Sequence, residues 1–419
     1  MDGGGVPAIR STCPYCGVGC GVRLMPEGAG GLRVEGDPEH PANRGALCSK
    51  GLALAETLGM EGRLLTPRVE GRATDWDTAL GTVADRFLNT IEMHGPDAVG
   101  FYVSGQLLTE DYYVANKLMK GFIGSGNIDT NSRLCMASTV AGQRRAFGTD
   151  TVPGTYEDIE QADLVVLVGS NMAWCHPVLF RRLAEAQQAR GTKVVVVDPR
   201  RTATCDIADL HLKIEPGSDV ALFNGLLAHL ASAGALDREF LAAHVEGFDA
   251  ALAEAQAADL AATGLAHADL DAFFRLFAET PLSVTAFSQG VNQATSGTDK
   301  VNAILNCHLA SGRIGKPGMG PLSLTGQPNA MGGRETGGMA NTLAAHLDIE
   351  NPDHRAAVQA FWNAPRIAQG PGLKAVEMFE AAADGRIKAL WIAGTNTVVS
   401  MPEADCVAEA IRASESVVV

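Results

Sequence analysis

Nowhere among its 419 residues does this chain hold the roughly 20 uninterrupted apolar residues that a membrane-spanning helix requires. Its opening, Met1 to Thr12, lacks a basic region followed by an apolar core and carries no twin-arginine pair, so no secretory signal is read there and a cytoplasmic address is expected. Basic residues are also in short supply: 33 Lys and Arg face 48 Asp and Glu, a formal charge of -15, which excludes a surface built to attract nucleic acid or an anionic membrane. A disulfide framework is disfavoured, because nine cysteines is an odd count and several crowd the N-terminus, where metal or redox use fits better. No tandem repeat of solenoid period is found.

What the chain does have is 46% hydrophobic residues and 47 glycines, the profile of a soluble α/β enzyme with many tight strand-to-helix turns. Its length exceeds the size at which one core keeps growing, so more than one domain is expected. The opening is rich in Gly, Pro and Cys, with β-like pieces at Gly21 to Leu24 and Gly31 to Glu35. From Asp75 the pattern becomes an amphipathic helix through Met93, then a strand from Ala98 to Val103 and a helix near Glu110 to Gly121. Ala162 to Val168, Pro177 to Ala189 and Lys193 to Val197 read as one βαβ unit, its helix bounded by Pro177 at the start and Gly191 past the end. His211 to Ile214 reads as a strand, Asp219 to Leu230 as a helix, Ser283 to Phe287 as a strand and Lys300 to Leu309 as its following helix. Residues 313 to 339 are too irregular for an element and too long for an ordinary connection, so a functional loop is expected. Ala389 to Ala393 is a further strand, and Val417 to Val419 read as the opening of another in a chain expected to be a fragment.

Cys13, Cys16, Cys20 and Cys48 form C-x2-C-x3-C-x27-C, three thiols on one turn and a fourth returning from a distance. A 4Fe–4S cubane needs four converging thiolates, which this spacing supplies; zinc is the alternative, but structural zinc normally takes two pairs of ligands. Gly17, Gly19 and Gly21 are expected to let backbone amides approach the sulfurs.

The run Ser11-Thr12-Cys13-Pro14-Tyr15-Cys16-Gly17-Val18-Gly19-Cys20-Gly21 resembles the opening of the bis-molybdopterin oxidoreductases, and the chain from about residue 10 onward is most similar to the catalytic subunits of prokaryotic assimilatory nitrate reductases. The resemblance implies molybdenum bis(molybdopterin guanine dinucleotide) beside the cluster. Lys50, on composition a surface lysine, would lie between cluster and pterin on the electron path. Cys135, in Asn131-Ser132-Arg133-Leu134-Cys135-Met136, matches the position whose thiolate ligates molybdenum; alone it would be read as a buried small hydrophobe. Met136 stands where related formate dehydrogenases place a proton-accepting His, which points toward oxygen-atom transfer.

Gly169, Ser170 and Asn171 follow a strand and open a helix, where free amides favour a pyrophosphate. By the resemblance, Asp198 and Thr202 would contact the guanosine, and Gly217 and Asp219 would close its site, with Asp219 suited to guanine N–H donors. A Rossmann dinucleotide site is the rival, but no G-x-G-x-x-G follows these strands. Gln106, Asn131, Gln289, Gln293 and Asn396 match further polar cofactor contacts. Cys175 and His176 read as packing or pocket residues, and His94, His211 and His308 as structural. Arg334, on a Gly-rich loop from Gly326 to Gly338, is the candidate substrate ligand, because planar guanidinium matches planar nitrate through paired hydrogen bonds. Thr336 departs from the aliphatic residue that relatives usually carry there.

The resulting expectation is an α/β protein: an iron–sulfur module at 1–62, a discontinuous central α/β domain at 63–138 and 346–419, and a βαβ guanine-dinucleotide domain at 139–345. The family's C-terminal β-barrel is expected to be missing from a chain ending at Val419, so this segment alone should bind the cofactor poorly. The expected reaction is two-electron reduction of nitrate to nitrite in assimilation, with electrons from ferredoxin, flavodoxin or an NADH-linked reductase. The alternatives are a formate dehydrogenase and a non-catalytic electron-transfer relative that kept the cluster and lost molybdenum.

Overall fold

The structure is a computed structural model that describes residues 8–27 and 31–419. The chain gathers into two compact units, one of residues 1–53 with 135–326 and one of 54–134 with 327–419. The partings fall after residues 53, 134 and 326, and the cysteine-rich segment shares its unit with the βαβ layer.

In the first unit, five parallel strands lie side by side in the order Leu210–Leu212, Lys193–Val197, Leu164–Val168, Ser283–Phe287, Gly320–Ser323. The central strands Leu164–Val168 and Ser283–Phe287 are buried at every residue, as a parallel sheet covered on both faces demands, and the first of them is an unbroken apolar run. The core packs Leu164, Val166 and Val168 with Phe223, Phe273 and Phe277. Strand order reverses between Leu164–Val168 and Ser283–Phe287, and at that switch point the two strand ends all but touch. A Cβ on Gly169 would meet Gly290 Cα at 2.7 Å, and Gly290 N donates to Gly169 O at 3.0 Å. Only glycine fits here, and crevices at switch points of such sheets are where ligands bind.

Pro177 and Gly191 bound helix Pro177–Arg190 as read from the sequence. The long irregular segment, expected to be a loop throughout, is corrected in both units: Gly320–Ser323 is an edge strand, and Ala330–Glu335 is a short helix. Gly320 and Pro321 have poor strand propensity, but pairing with Val284 and Thr285 imposes the extended form, and an edge strand tolerates proline. The cysteine-rich opening is an antiparallel sheet of Ile9–Thr12, Gly21–Glu27 and Gly31–Gly36. Arg182 ties it to the large layer, donating to Pro41 O and Ala42 O while pairing with Glu160 at 2.7 Å.

The second unit is a parallel sheet ordered Ser416–Val418, Ala389–Ile392, Val99–Val103, Ile128–Thr130. Helix Trp76–His94 starts where Asp75 accepts from Thr78 N at 2.7 Å and ends at Gly95. The helix expected to reach Gly121 runs from Thr109 to Asn116 and then widens into a π-helical turn, Lys117–Ile123, a geometry that periodicity does not announce. Among the described residues no helix is long and apolar enough to cross a membrane.

Candidate cluster and cofactor site

Cys13 and Cys20 stand at the base of the turn joining the first two strands, where Cys13 N donates to Cys20 O at 2.8 Å; Cys16 lies on that turn and Cys48 caps the short helix Ser49–Leu52. Burial raises the Cys13, Cys16 and Cys20 thiols, Cys20 to about 12, and neighbouring cysteine thiolates add to the rise. Cationic iron would offset that penalty by holding them as thiolates. Among the described residues no three His, Cys, Asp or Glu side chains close on the point a lone ion would occupy; the corners of a cubane stand farther apart. Backbone amides do reach the sulfurs, those of Tyr15 to Cys13, Val18 to Cys16 and Cys20 to its own thiol, while the amides of Gly17, Gly19 and Gly21 themselves donate to Gly326 O, Cys16 O and Asn43 Oδ1. Gly17 is glycine because a Cβ would sit 2.0 Å from Thr325 O. Lys50, half-buried on the Cys48 helix, acts electrostatically on Cys13, Cys16 and the buried His176.

Cys135 opens the second segment of the first unit, 8% exposed, and the helix around it breaks at Met136, whose φ of −146° and ψ of 30° are not helical. Gln289, at the end of strand Ser283–Phe287, donates Nε2–H to Cys135 Sγ at 3.1 Å. Asn292 secures the next turn through Thr139 N and Oγ1, at 2.9 and 2.7 Å.

From Gln289 a cleft of about 540 Å³ runs along the carboxyl ends of the strands. Its walls include Gly169, Asn171, Asp198, Gly217, Asp219, Gln289 and Gln293, residues 120 positions apart in sequence. Ser170 Oγ and Thr202 Oγ1 are buried without a hydrogen-bond partner, and neither residue is among the walls of this cleft. Asp198 Oδ1 accepts from Arg200 N, and Asn171 Oδ1 from Thr204. Sequence reading missed Lys300, whose buried ammonium pairs with Asp219 Oδ2 at 2.7 Å; it looked like the first residue of a helix, and only the fold brings it to the cleft. Cys175 lines the cleft exposed, whereas His176 is buried and bonded to Thr325 O. His308 is also structural, held by Thr285 Oγ1 and Arg313 O, and His211 meets Asp198 O.

In the second unit, Gln106, Asn131 and Asn396 follow the carboxyl ends of three neighbouring strands. Asn131 Oδ1 accepts from Gly105 N and from Gln327 Nε2, a partner that sequence reading passed over; Gln106 and Asn396 are exposed. Arg334 is 6% exposed, in the helix Ala330–Glu335.

A family model described as molybdopterin oxidoreductase matches residues 63–419, and one described as molybdopterin oxidoreductase Fe4S4 domain matches 7–59. The chain is 54% identical to a nitrate reductase of Klebsiella oxytoca over 98% of its own length and 47% of that protein, and 51% identical to one of Shewanella frigidimarina over 98% and 45%. It thus spans about half the length of these curated relatives. The structure of acetylene hydratase from Pelobacter acetylenicus superposes with a TM-score of 0.77 at 17% identity, covering 97% of this chain and 60% of that one, a likeness of fold.

Proposed function

Because the chain belongs to the molybdopterin oxidoreductases and carries their iron–sulfur domain, we propose that it is the cofactor-binding part of a cytoplasmic assimilatory nitrate reductase. The observation that carries this reading is the Gln289–Cys135 contact at the head of the strand-end cleft, in a chain more than half identical to a nitrate reductase. Cys13, Cys16, Cys20 and Cys48 would hold the cluster, Cys135 the molybdenum, and the cleft from Gly169 to Asp219 one guanine dinucleotide. When bound, these groups supply the two electrons and the oxygen-accepting metal for NO3⁻ + 2 e⁻ + 2 H⁺ → NO2⁻ + H2O.

The protein's own residues set the conditions. Cys135 offers a soft sulfur ligand, and the Gln289 N–H fixes its orientation. Lys50 places a cation beside the cluster sulfurs, favouring electron arrival. Arg334 offers a planar, permanently charged fork for a planar anion. Met136 puts no base next to Cys135, which agrees with oxygen transfer rather than C–H oxidation. Ferredoxin, flavodoxin or an NADH-linked reductase would deliver the electrons.

The test is metal analysis of the full-length protein with assays of nitrate reduction, from a reduced artificial donor, and of formate oxidation. About four iron per chain, with molybdenum and nitrate turnover, is the expected result. Formate oxidation without nitrate reduction, or iron without molybdenum, would overturn it, as would a colourless zinc protein.

A further inference from the structure

One helix face meets the Arg334 segment at four positions. Its first position, Thr109, receives Asn329 Nδ2 at 3.1 Å. One turn on, the Tyr112 ring lies so close under Gly333 and Gly338 that a Cβ would stand 2.7 and 3.0 Å from it. Asn116, the next turn, donates Nδ2–H to Thr336 O at 2.6 Å. Lys120, in the π-helical turn, ends the row, and its Nζ donates to Gly337 O, Met339 O and Thr342 O at 2.6, 2.8 and 2.6 Å.

Lys120 is fully buried, with no carboxylate among these partners. Burial lowers its affinity for a proton to about 7, yet three carbonyls at hydrogen-bond distance need three N–H donors, and a neutral amine has two. The ammonium form therefore satisfies the site. Gly337 turns at φ +76°, 2.2 Å from the Leu343 backbone where a Cβ would stand, and its amide returns to Arg334 O at 3.1 Å. The turn that leaves Arg334 is thus closed onto the carbonyls that Lys120 gathers.

The geometry points to Lys120 as a positioning residue for Arg334: its buried charge draws three loop carbonyls together and so sets where the guanidinium meets an oxyanion. The consequence for nitrate rests on the reading given under Proposed function; the clamp itself does not.

The experiment compares full-length wild type, Lys120→Met and Asn116→Ala, the last a milder loss of one tether should the first not fold. Hydrogen exchange of the peptide covering Gly337 to Thr342 reads the clamp without turnover, and steady-state kinetics read its consequence. Exchange should rise by about tenfold or more in Lys120→Met, less in Asn116→Ala, with nitrate KM up about tenfold, kcat within about threefold and iron content unchanged. Unchanged exchange in the folded variants overturns the clamp. Raised exchange with an unchanged KM in a protein that reduces nitrate overturns the link to Arg334. Should wild type itself reduce no nitrate, the nitrate reading fails, and the exchange data alone decide for or against the clamp.

Discussion

Gln289 Nε2 donates to Cys135 Sγ across 3.1 Å, joining the turn after a central strand to a cysteine 154 positions earlier in the chain. A hydrogen bond to a charged acceptor is worth about 1.5–3 kcal/mol, enough for this amide to orient a metal-ligating sulfur. Gln289→Leu in the full-length protein should retain the iron–sulfur spectrum but alter the Mo(V) resonance; Cys135→Ala should lose nitrate turnover with the cluster signal intact. Turnover persisting in Cys135→Ala would remove this sulfur from the chemistry.

Arg334→Lys keeps the charge and loses the paired donors. The nitrate KM should rise about tenfold or more while molybdenum content stays at the wild-type level. An unchanged KM would place the anion elsewhere.

Asp219 and Lys300 form a buried pair at 2.7 Å, 9% and 4% exposed at their side chains. Removing one partner leaves the other charge buried alone, a cost of about 3–5 kcal/mol, whereas removing both is far milder. The apparent melting temperature should therefore fall in Asp219→Ala and recover in Asp219→Leu with Lys300→Met, and both should retain less guanine nucleotide after acid release. Full nucleotide content in both would separate this pair from the cofactor cleft.

Burial lowers His308 from 6.5 to about 3, with the nearby Arg313 cation acting in the same direction, so the native ring is neutral. Between these values the unfolded chain binds the extra proton, and stability rises with pH: it is full above pH 6.5 and lost as pH falls toward 3. At pH 5 the loss is about 2 kcal/mol. Denaturant midpoints measured at pH 7 and pH 5 should differ less in His308→Gln than in wild type; equal differences would show the ring is not the responsible group.

Much of this was legible in the residues because it is local. A strand such as Leu164–Val168 is announced by its unbroken apolar run, helix Pro177–Arg190 by Pro177 and Gly191, and the cluster by three thiols that share one turn. The strand Gly320–Ser323 was not, because its glycine and proline argue against extension and only pairing with a neighbour overrules them. Among the glycines beside the cysteines, Gly17 has a reason no local reading supplies: Thr325, three hundred residues away, occupies the space its side chain would take.

Most elements, the cluster spacing and the family resemblance could be read from the residues alone, since these depend on periodicity and on neighbours along the chain. Only the tertiary structure decided that Gln289 meets Cys135, that Lys300 meets Asp219, and that Lys120 gathers three carbonyls of a distant loop. Each of these is a buried polar group whose desolvation must be offset by a partner, and which partner it finds is set by how the strands and helices pack, not by distance along the chain.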